Sequence, residues 1–451
     1  MLKILLALLV TLVTAWFILK KFKAQTVLFI GGLILMSATI LFGYPILDGK
    51  MTTGFAWFDI FKFIEDTFST RVAGIGLLIM TVGGFAKYME HIGASRILVH
   101  ITAHPLSLIK SPYILLAVCY IIGQMLNIVI PSAAGLCVLL MATMYPILIS
   151  LGISRLSAAG VIATTPCLDL GPASGTAAFA AKTAGLDVTD YFVSEQIPIA
   201  IVTMIAIAVS HFFVQRWFDR RDGTEQVEMR FDSKVKSNAL PPRYYAILPI
   251  IPIALVLVFS KLVISSIKMP VVTAMLISIV VAMLFEIVHT RNLKMVLGSI
   301  QVVFDGMGKL FATVVTLIVA GETFAYGLTK IGAIDALIGG AENLGVGAVG
   351  ITLVMTIIVA AAAVIMGSGN APFYSFGALV PDIAVKMSIL PVAMITPMQM
   401  AASIARSASP ITAAVVAVAG VAEVSPVDLV KRTAIPMAIA LLVSFVMATF
   451  F

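Results

Sequence analysis

Two pairs of short polar stretches interrupt long apolar runs, and their residue types suit the holding of an anion or a small cation. The first pair is Pro131-Ser132-Ala133-Ala134-Gly135 and Met366-Gly367-Ser368-Gly369-Asn370-Ala371-Pro372. The second is Gly171-Pro172-Ala173-Ser174-Gly175-Thr176-Ala177-Ala178 and Ser407-Ala408-Ser409-Pro410-Ile411-Thr412-Ala413-Ala414. Members of each pair stand about 236 residues apart. The hydroxyls of Ser132, Ser174, Thr176, Ser368, Ser409 and Thr412, with the amide of Asn370, supply neutral donors and acceptors for a carboxylate or for a cation such as Na⁺. Pro131 and Pro172 restrict the residue before them, and Gly135, Gly171, Gly175, Gly367 and Gly369 permit backbone shapes that other residues resist, so helix ends are expected there. A helix N-terminus offers unpaired N–H groups and partial positive charge to an anion. Close helix packing also uses small residues. Packing alone does not call for Pro and Gly beside hydroxyls.

Charge inside an apolar run is costly and therefore a functional suspect. Arg406, in Ala405-Arg406-Ser407, lies beside an interruption and could grip a carboxylate with its planar fork. An interfacial Arg that snorkels to water is the bland alternative. Asp169, in Cys167-Leu168-Asp169-Leu170, suits a coupling-ion role, with Na⁺ or H⁺ as the ion, or equally a helix cap. Lys182 and Glu322 rank below these two as candidates.

Spanning helices must position these groups. Of 451 residues, 61% are hydrophobic and 11% charged, against about 25% charged in soluble domains; mean hydropathy is +1.10. The apolar runs suit helices of about 20 residues crossing a core about 30 Å thick, and they lack the alternation of a barrel strand. An all-α polytopic membrane protein of about 11 to 13 spanning segments is expected. Broken helix is tolerated in lipid only where protein or a watery cavity satisfies its backbone. The interruptions therefore predict broken helices and re-entrant hairpins around a central site, the pattern of a secondary transporter.

The run Ile4–Leu19, followed by Lys20, Lys21 and Lys23 without a cleavage signal, reads as a retained extra helix within residues 1–26, its C-terminal end in the cytoplasm. Spans are expected over Val27–Leu47, Val72–Met89, Tyr113–Ile130, Leu156–Ala181 and Gln196–Val214, giving a first repeat over 27–214. Residues 215–243, rich in Arg and Lys and closing near Pro241-Pro242, read as a basic cytoplasmic linker. A second repeat, 244–451, is expected to span at Tyr245–Leu262, Pro270–Val288, Gly306–Leu328, Gly347–Met366, Val392–Ala419 and Ala434–Phe450. Phe85-Ala86 with Ile92-Gly93-Ala94 is echoed by Phe324-Ala325 with Ile331-Gly332-Ala333, about 239 residues later. An odd number of crossings per unit makes such repeats inverted and an even number parallel; inverted repeats are the expectation.

Other classes fit poorly. The net charge of +7 is scattered over short connections, so no nucleic-acid surface is indicated. The three cysteines and five histidines, among them His104, show no metal-ligand spacing. No P-loop or nucleophile–base constellation marks an ATPase or an enzyme. A duplicated broken-helix pattern suits an occluded site better than a channel.

In Tyr88-Met89-Glu90, Ile92-Gly93-Ala94-Ser95-Arg96, Ser111-Pro112-Tyr113, His211-Phe212-Phe213-Val214-Gln215-Arg216 and Tyr245-Ala246-Ile247-Leu248-Pro249 the chain resembles the DcuC/DcuD family of anaerobic four-carbon dicarboxylate carriers. The resemblance continues through Gly367-Ser368-Gly369-Asn370-Ala371-Pro372-Phe373 and Lys431-Arg432-Thr433-Ala434-Ile435-Pro436, while Phe304-Asp305-Gly306-Met307-Gly308 leans toward the DcuD branch. The resemblance implies succinate, fumarate, malate or aspartate as substrates, moved by exchange, efflux or cation-coupled uptake across a bacterial inner membrane. It carries a binding role onto Ser368, Gly369, Asn370, Arg406 and Pro410. A carrier for another organic anion or an amino acid is the rival reading. The expected partners are the small dicarboxylate, the lipid bilayer and, as an open option, a second copy in a homodimer.

Overall fold

The computed structural model describes residues 2–20, 22–47, 51–103, 109, 111–223, 241–260, 263–264, 266–336, 339 and 347–450. Most of the expected linker, with His104 and Leu262, lies outside the described residues. Every regular element among the described residues is helical. Nine of those helices are long and apolar enough to cross a bilayer, and three shorter apolar helices accompany them.

The chain opens with α1 (Leu2–Leu19) and α2 (Ala24–Leu41). Next, α3 (Ala56–Arg71) runs through a π turn at Val72–Gly76 into α4 (Leu77–His91), followed by α5 (Ala94–Ala103). Helix α6 (Pro112–Val129) starts with Pro at its first turn and stops before Pro131, whose ring disfavours helical geometry at Ile130. Helix α7 (Ala133–Ser150) is capped by the Ser132 hydroxyl, α8 (Arg155–Thr164) by Ser154 and α9 (Gly175–Thr183) by Ser174, each accepting a backbone N–H. Helix α10 (Val188–Arg221) has a π segment at Tyr191–Gln196.

After the linker come α11 (Arg243–Val258) and α12 (Val271–Thr290). They lead to α13 (Leu293–Gly298) and α14 (Ile300–Leu310), which continues through a π turn at Phe311–Val315 into α15 (Thr316–Lys330). Helix α16 (Ala348–Met366) is stopped by Gly367 in the left-handed region at φ 68°. The chain ends with α17 (Asn370–Gly377), α18 (Val380–Lys386), α19 (Pro391–Arg406), α20 (Ala413–Ala422) and α21 (Pro426–Phe450).

Several expected spans are redrawn. Leu156–Ala181 is two short helices, α8 and α9, and Val392–Ala419 is likewise α19 and α20. Hydropathy runs on through both breaks because Cys167, Leu168 and Leu170, or Ala408 and Ile411, flank the breakers. An apolar helix, α7, stands where no span was expected, and the span at Val72 begins earlier, at Ala56. The span ending at Val214 continues to Arg221, with Gln215 and Asp219 buried.

Three large apolar cores hold the bundle, with a smaller fourth between α2 and α3 at Met36, Ile46, Leu47, Ile60 and Ile64. One gathers α6, α7, α8, α10, α20 and α21; a second gathers α2, α9, α15, α17 and α19; a third joins α4 to α5, α11, α12 and α14. Helices α4 and α14 cross where glycines face each other. A Cβ added at Gly306 would lie 2.8 Å from the Gly83 carbonyl oxygen, so only glycine permits that approach.

Candidate functional site

The break between α8 and α9 is built around an unwound backbone buried in protein. Its polar groups need partners, and neighbouring amide side chains supply them. Gln124 on α6 bonds Leu168 twice, its Oε1 accepting the N–H at 3.0 Å and its Nε2 donating to the carbonyl at 2.8 Å. Asn127, one turn on, donates to the same carbonyl at 3.0 Å. The Asp169 carbonyl accepts from Gln196 at 3.2 Å and from Gln399 at 2.9 Å, and these glutamines bond each other at 3.1 Å. The Gln196 Oε1 takes the Gly171 N–H at 2.9 Å. All four amides are buried. They went unsuspected in the sequence, where a signal existed: an amide in an apolar helix must find a partner outside a backbone already satisfied.

The rigid unwound segment aims Asp169 at Arg406. The Arg406 Nη2 lies 2.7 Å from the Asp169 Oδ1 and donates to the Pro166 carbonyl at 3.1 Å. The side chains are 14% and 17% exposed, so Arg406 is paired rather than snorkelled into water. Asp169 does not cap α9, a task that falls to Ser174. Instead its Oδ2 accepts from the Thr176 hydroxyl at 3.4 Å, and Thr176 lies 3.0 Å from the Ser174 hydroxyl.

This pair lines a cavity of about 660 Å³. Ser132, Asp169, Ser174, Thr176, Asn370 and Arg406 are all in its wall, joined by Tyr374. The first residues of α7, α9 and α17 all line it, which brings the partial positive charge of three helix N-termini to one space. Ser368, Gly369, Ser409, Pro410 and Thr412 are not in that wall. Gly369 backs onto α19, where an added Cβ would fall 2.2 Å from the Ala402 carbonyl oxygen. Thr412 donates to the Arg406 carbonyl at 2.5 Å, Ser368 and Pro410 are half-buried, and the Ser409 hydroxyl is buried without a hydrogen-bond partner among the described residues. These five stand outside the wall. Cys119, Cys137 and Cys167 are buried thiols, and among the described residues no cluster of ligating side chains could hold a metal ion.

A second cavity, of about 540 Å³, lies at the other end of α9. Ser174 and Thr176 line the larger space, whereas Phe179, Lys182 and Thr183 line the smaller one. Between them stands an aromatic layer: Phe179 packs edge-on against Tyr374 at 5.1 Å and Phe373 at 5.5 Å. Glu322, ranked low from the sequence, sits in the smaller cavity ion-paired to Arg71 at 2.7 Å.

The fold matches the YdaH transporter of Alcanivorax borkumensis with a TM-score of 0.65 at 17% identity, over 94% of this chain and 97% of that one. It matches MtrF of Neisseria gonorrhoeae, described as one of a class of antimetabolite efflux pumps, with a TM-score of 0.60 at 16% identity over 95% and 94%. The sequence profile of the DcuC family, described as a C4-dicarboxylate anaerobic carrier, covers residues 2–450. The chain belongs to the DcuC family. Its DcuC relatives include a probable anaerobic C4-dicarboxylate transporter of Vibrio cholerae, 38% identical over 98% of this chain and 96% of that protein. The anaerobic C4-dicarboxylate transporter of Escherichia coli K12 is 36% identical over 96% and 93%. As a DcuC-family protein the chain is a multi-pass protein of the bacterial inner membrane and a secondary transporter for C4-dicarboxylates, not an enzyme.

Proposed function

We propose that Arg406 is the carboxylate clamp of this carrier and that Asp169 occupies it when substrate is absent. An incoming carboxylate takes over the guanidinium, with Thr176, Ser174, Asn370 and the N-termini of α7, α9 and α17 donating to its remaining oxygens. Asp169, displaced, is free to take H⁺ or Na⁺, which couples ion to substrate by competition for one cation. The observation that carries this reading is the 2.7 Å pair in the wall of a cavity on which three helix N-termini converge. Succinate, fumarate, malate and aspartate fit such a site as small dianions, or as a zwitterion with two carboxylates, moved by exchange, efflux or cation-coupled uptake.

The halves, 27–214 and 244–451, are read as inverted repeats with re-entrant hairpins. In support, the breaks after α6 and α16, those after α8 and α19, and the π turns at Val72–Gly76 and Phe311–Val315 recur in the same order. With the residues after Arg221 as a cytoplasmic linker, the larger cavity is read as opening inward, because Glu90, Ser95 and Arg96 in its wall flank Gly93, which packs against Pro241. A leaning to the DcuD branch rests on Phe304–Gly308, and the exposed flank of α1 at Leu5, Leu8, Leu9 and Leu12 is available to lipid or to a second copy.

Succinate counterflow in proteoliposomes tests the reading. The wild type should exchange labelled succinate for unlabelled fumarate. Arg406→Ala should lose exchange by roughly 30-fold or more, the effect of about 2 kcal/mol or more from removing one member of a desolvated charge pair. Wild-type exchange by that variant would remove the clamp.

A further inference from the structure

The larger cavity is lined by six charged side chains, Lys87, Glu90, Arg96, Asp169, Lys309 and Arg406. Four of them neutralise one another: Lys87 pairs with Glu90 at 2.8 Å, and Arg406 with Asp169 at 2.7 Å. Among the described residues Arg96 and Lys309 carry no ion pair. The wall thus holds two uncompensated positive charges. A four-carbon dicarboxylate dianion carries two negative ones.

Both cations are exposed. Arg96 lies near the start of α5. Lys309 belongs to a face of α14 and the following π turn on which Gly306, Lys309, Leu310 and Val314 recur at helical spacing along the cavity. Its level is set by α4. Ile79 borders Gly175, where an added Cβ would lie 3.6 Å from it, and at Gly83, one turn on, an added Cβ would meet Leu310 at 2.4 Å. Lys309, next to Leu310, therefore lines the same cavity as Gly175 and Thr176, on the wall supplied by the other half of the chain.

We propose that Lys309 anchors the second carboxylate and makes the site select dianions over monoanions, an inference that rests on the reading of Arg406 as the first anchor. The flexible stem and three rotatable donors of a lysine suit a carboxylate whose distance from the first varies among four-carbon acids. A monoanion held at Arg406 leaves the Lys309 charge unanswered and gains little from it. An ester at the second carboxylate separates the two contributions.

The test measures inhibition of labelled succinate counterflow by succinate and by monomethyl succinate at neutral pH. Lys309→Gln should raise the half-inhibiting concentration of succinate by about tenfold, the worth of one charge-assisted hydrogen bond, and shift that of monomethyl succinate by less than about twofold. Lys309→Arg should restore most of the selectivity. An unchanged ratio, or equal weakening of both ligands, would overturn the assignment. Should Lys309→Gln not turn over, the same ratio is read from calorimetric binding of each ligand to the purified protein. Retained selectivity there beside lost exchange in Arg406→Ala would remove Lys309 alone, whereas normal exchange in Arg406→Ala would remove the reading beneath it.

Discussion

Arg71 and Glu322 are ion-paired at 2.7 Å in the wall of the smaller cavity, while Leu310 and Gly83, which stand about 239 residues from them in the sequence, crowd together in the wall of the larger one. Positions at that common offset carry a charge pair on one side and an apolar contact on the other. Arg71 ends α3 at the π turn, and Glu322 lies on α15 just beyond the second π turn. The pair therefore ties together the two irregular helices that line both cavities.

Breaking that tie should loosen the smaller cavity. The native cysteines are buried, so a Thr183→Cys reporter on this cavity has a quiet background. Adding Glu322→Gln should speed its labelling by a hydrophilic maleimide about fivefold, corresponding to about 1 kcal/mol for a pair that is partly exposed. An unchanged labelling rate would show that the pair does not hold the cavity shut.

Gln124→Leu should destabilise the fold by about 1 to 3 kcal/mol. The Leu168 carbonyl would keep Asn127, but its N–H would be buried with no acceptor. The expected readout is a lower midpoint of thermal unfolding in detergent together with weaker succinate exchange, because the segment that aims Asp169 is no longer held. A midpoint equal to wild type would mean that another group takes the N–H.

The sequence made some of this legible for physical reasons. Pro131, Gly367, Pro172 and Pro410 mark helix ends because their backbones resist continuation, and all four breaks occur there. Asp169 and Arg406 stood out singly, since charge in an apolar run is costly. Their pairing did not, because 237 residues separate them and no periodicity links two broken helices across a fold. Ser368, Gly369, Ser409, Pro410 and Thr412 share the composition of the wall but stand outside it; composition does not tell a residue facing a cavity from one packed against the next helix. Lys309 drew no notice because a lysine near a helix end in the sequence looks like a snorkelling anchor.

Arg432 is 2% exposed and bonds Asp219, Asp222 and Ser157, tying α21 to α8 and α10. Arg432→Met should cost about 3 to 5 kcal/mol by leaving Asp219 buried opposite an apolar side chain. Arg432→Met with Asp219→Asn should recover part of the lost yield of folded protein, measured by size-exclusion chromatography. Equal yields of the single and double variants would show that the burial of Asp219 is not the source of the loss.

Helix α9 has nine residues, with one end on each cavity. At about 1.5 Å per residue it is about 13 Å long, less than half of a hydrocarbon core about 30 Å thick. Were the two cavities to fill with water from opposite sides, the membrane voltage would fall across this thin slab instead of the whole bilayer, and a charge crossing it would experience nearly the full potential, about 2.3 kcal/mol per 100 mV. Asp169 and Arg406 line the larger cavity at one end of α9, where in that case a small displacement of substrate or side chain would move charge through a steep field.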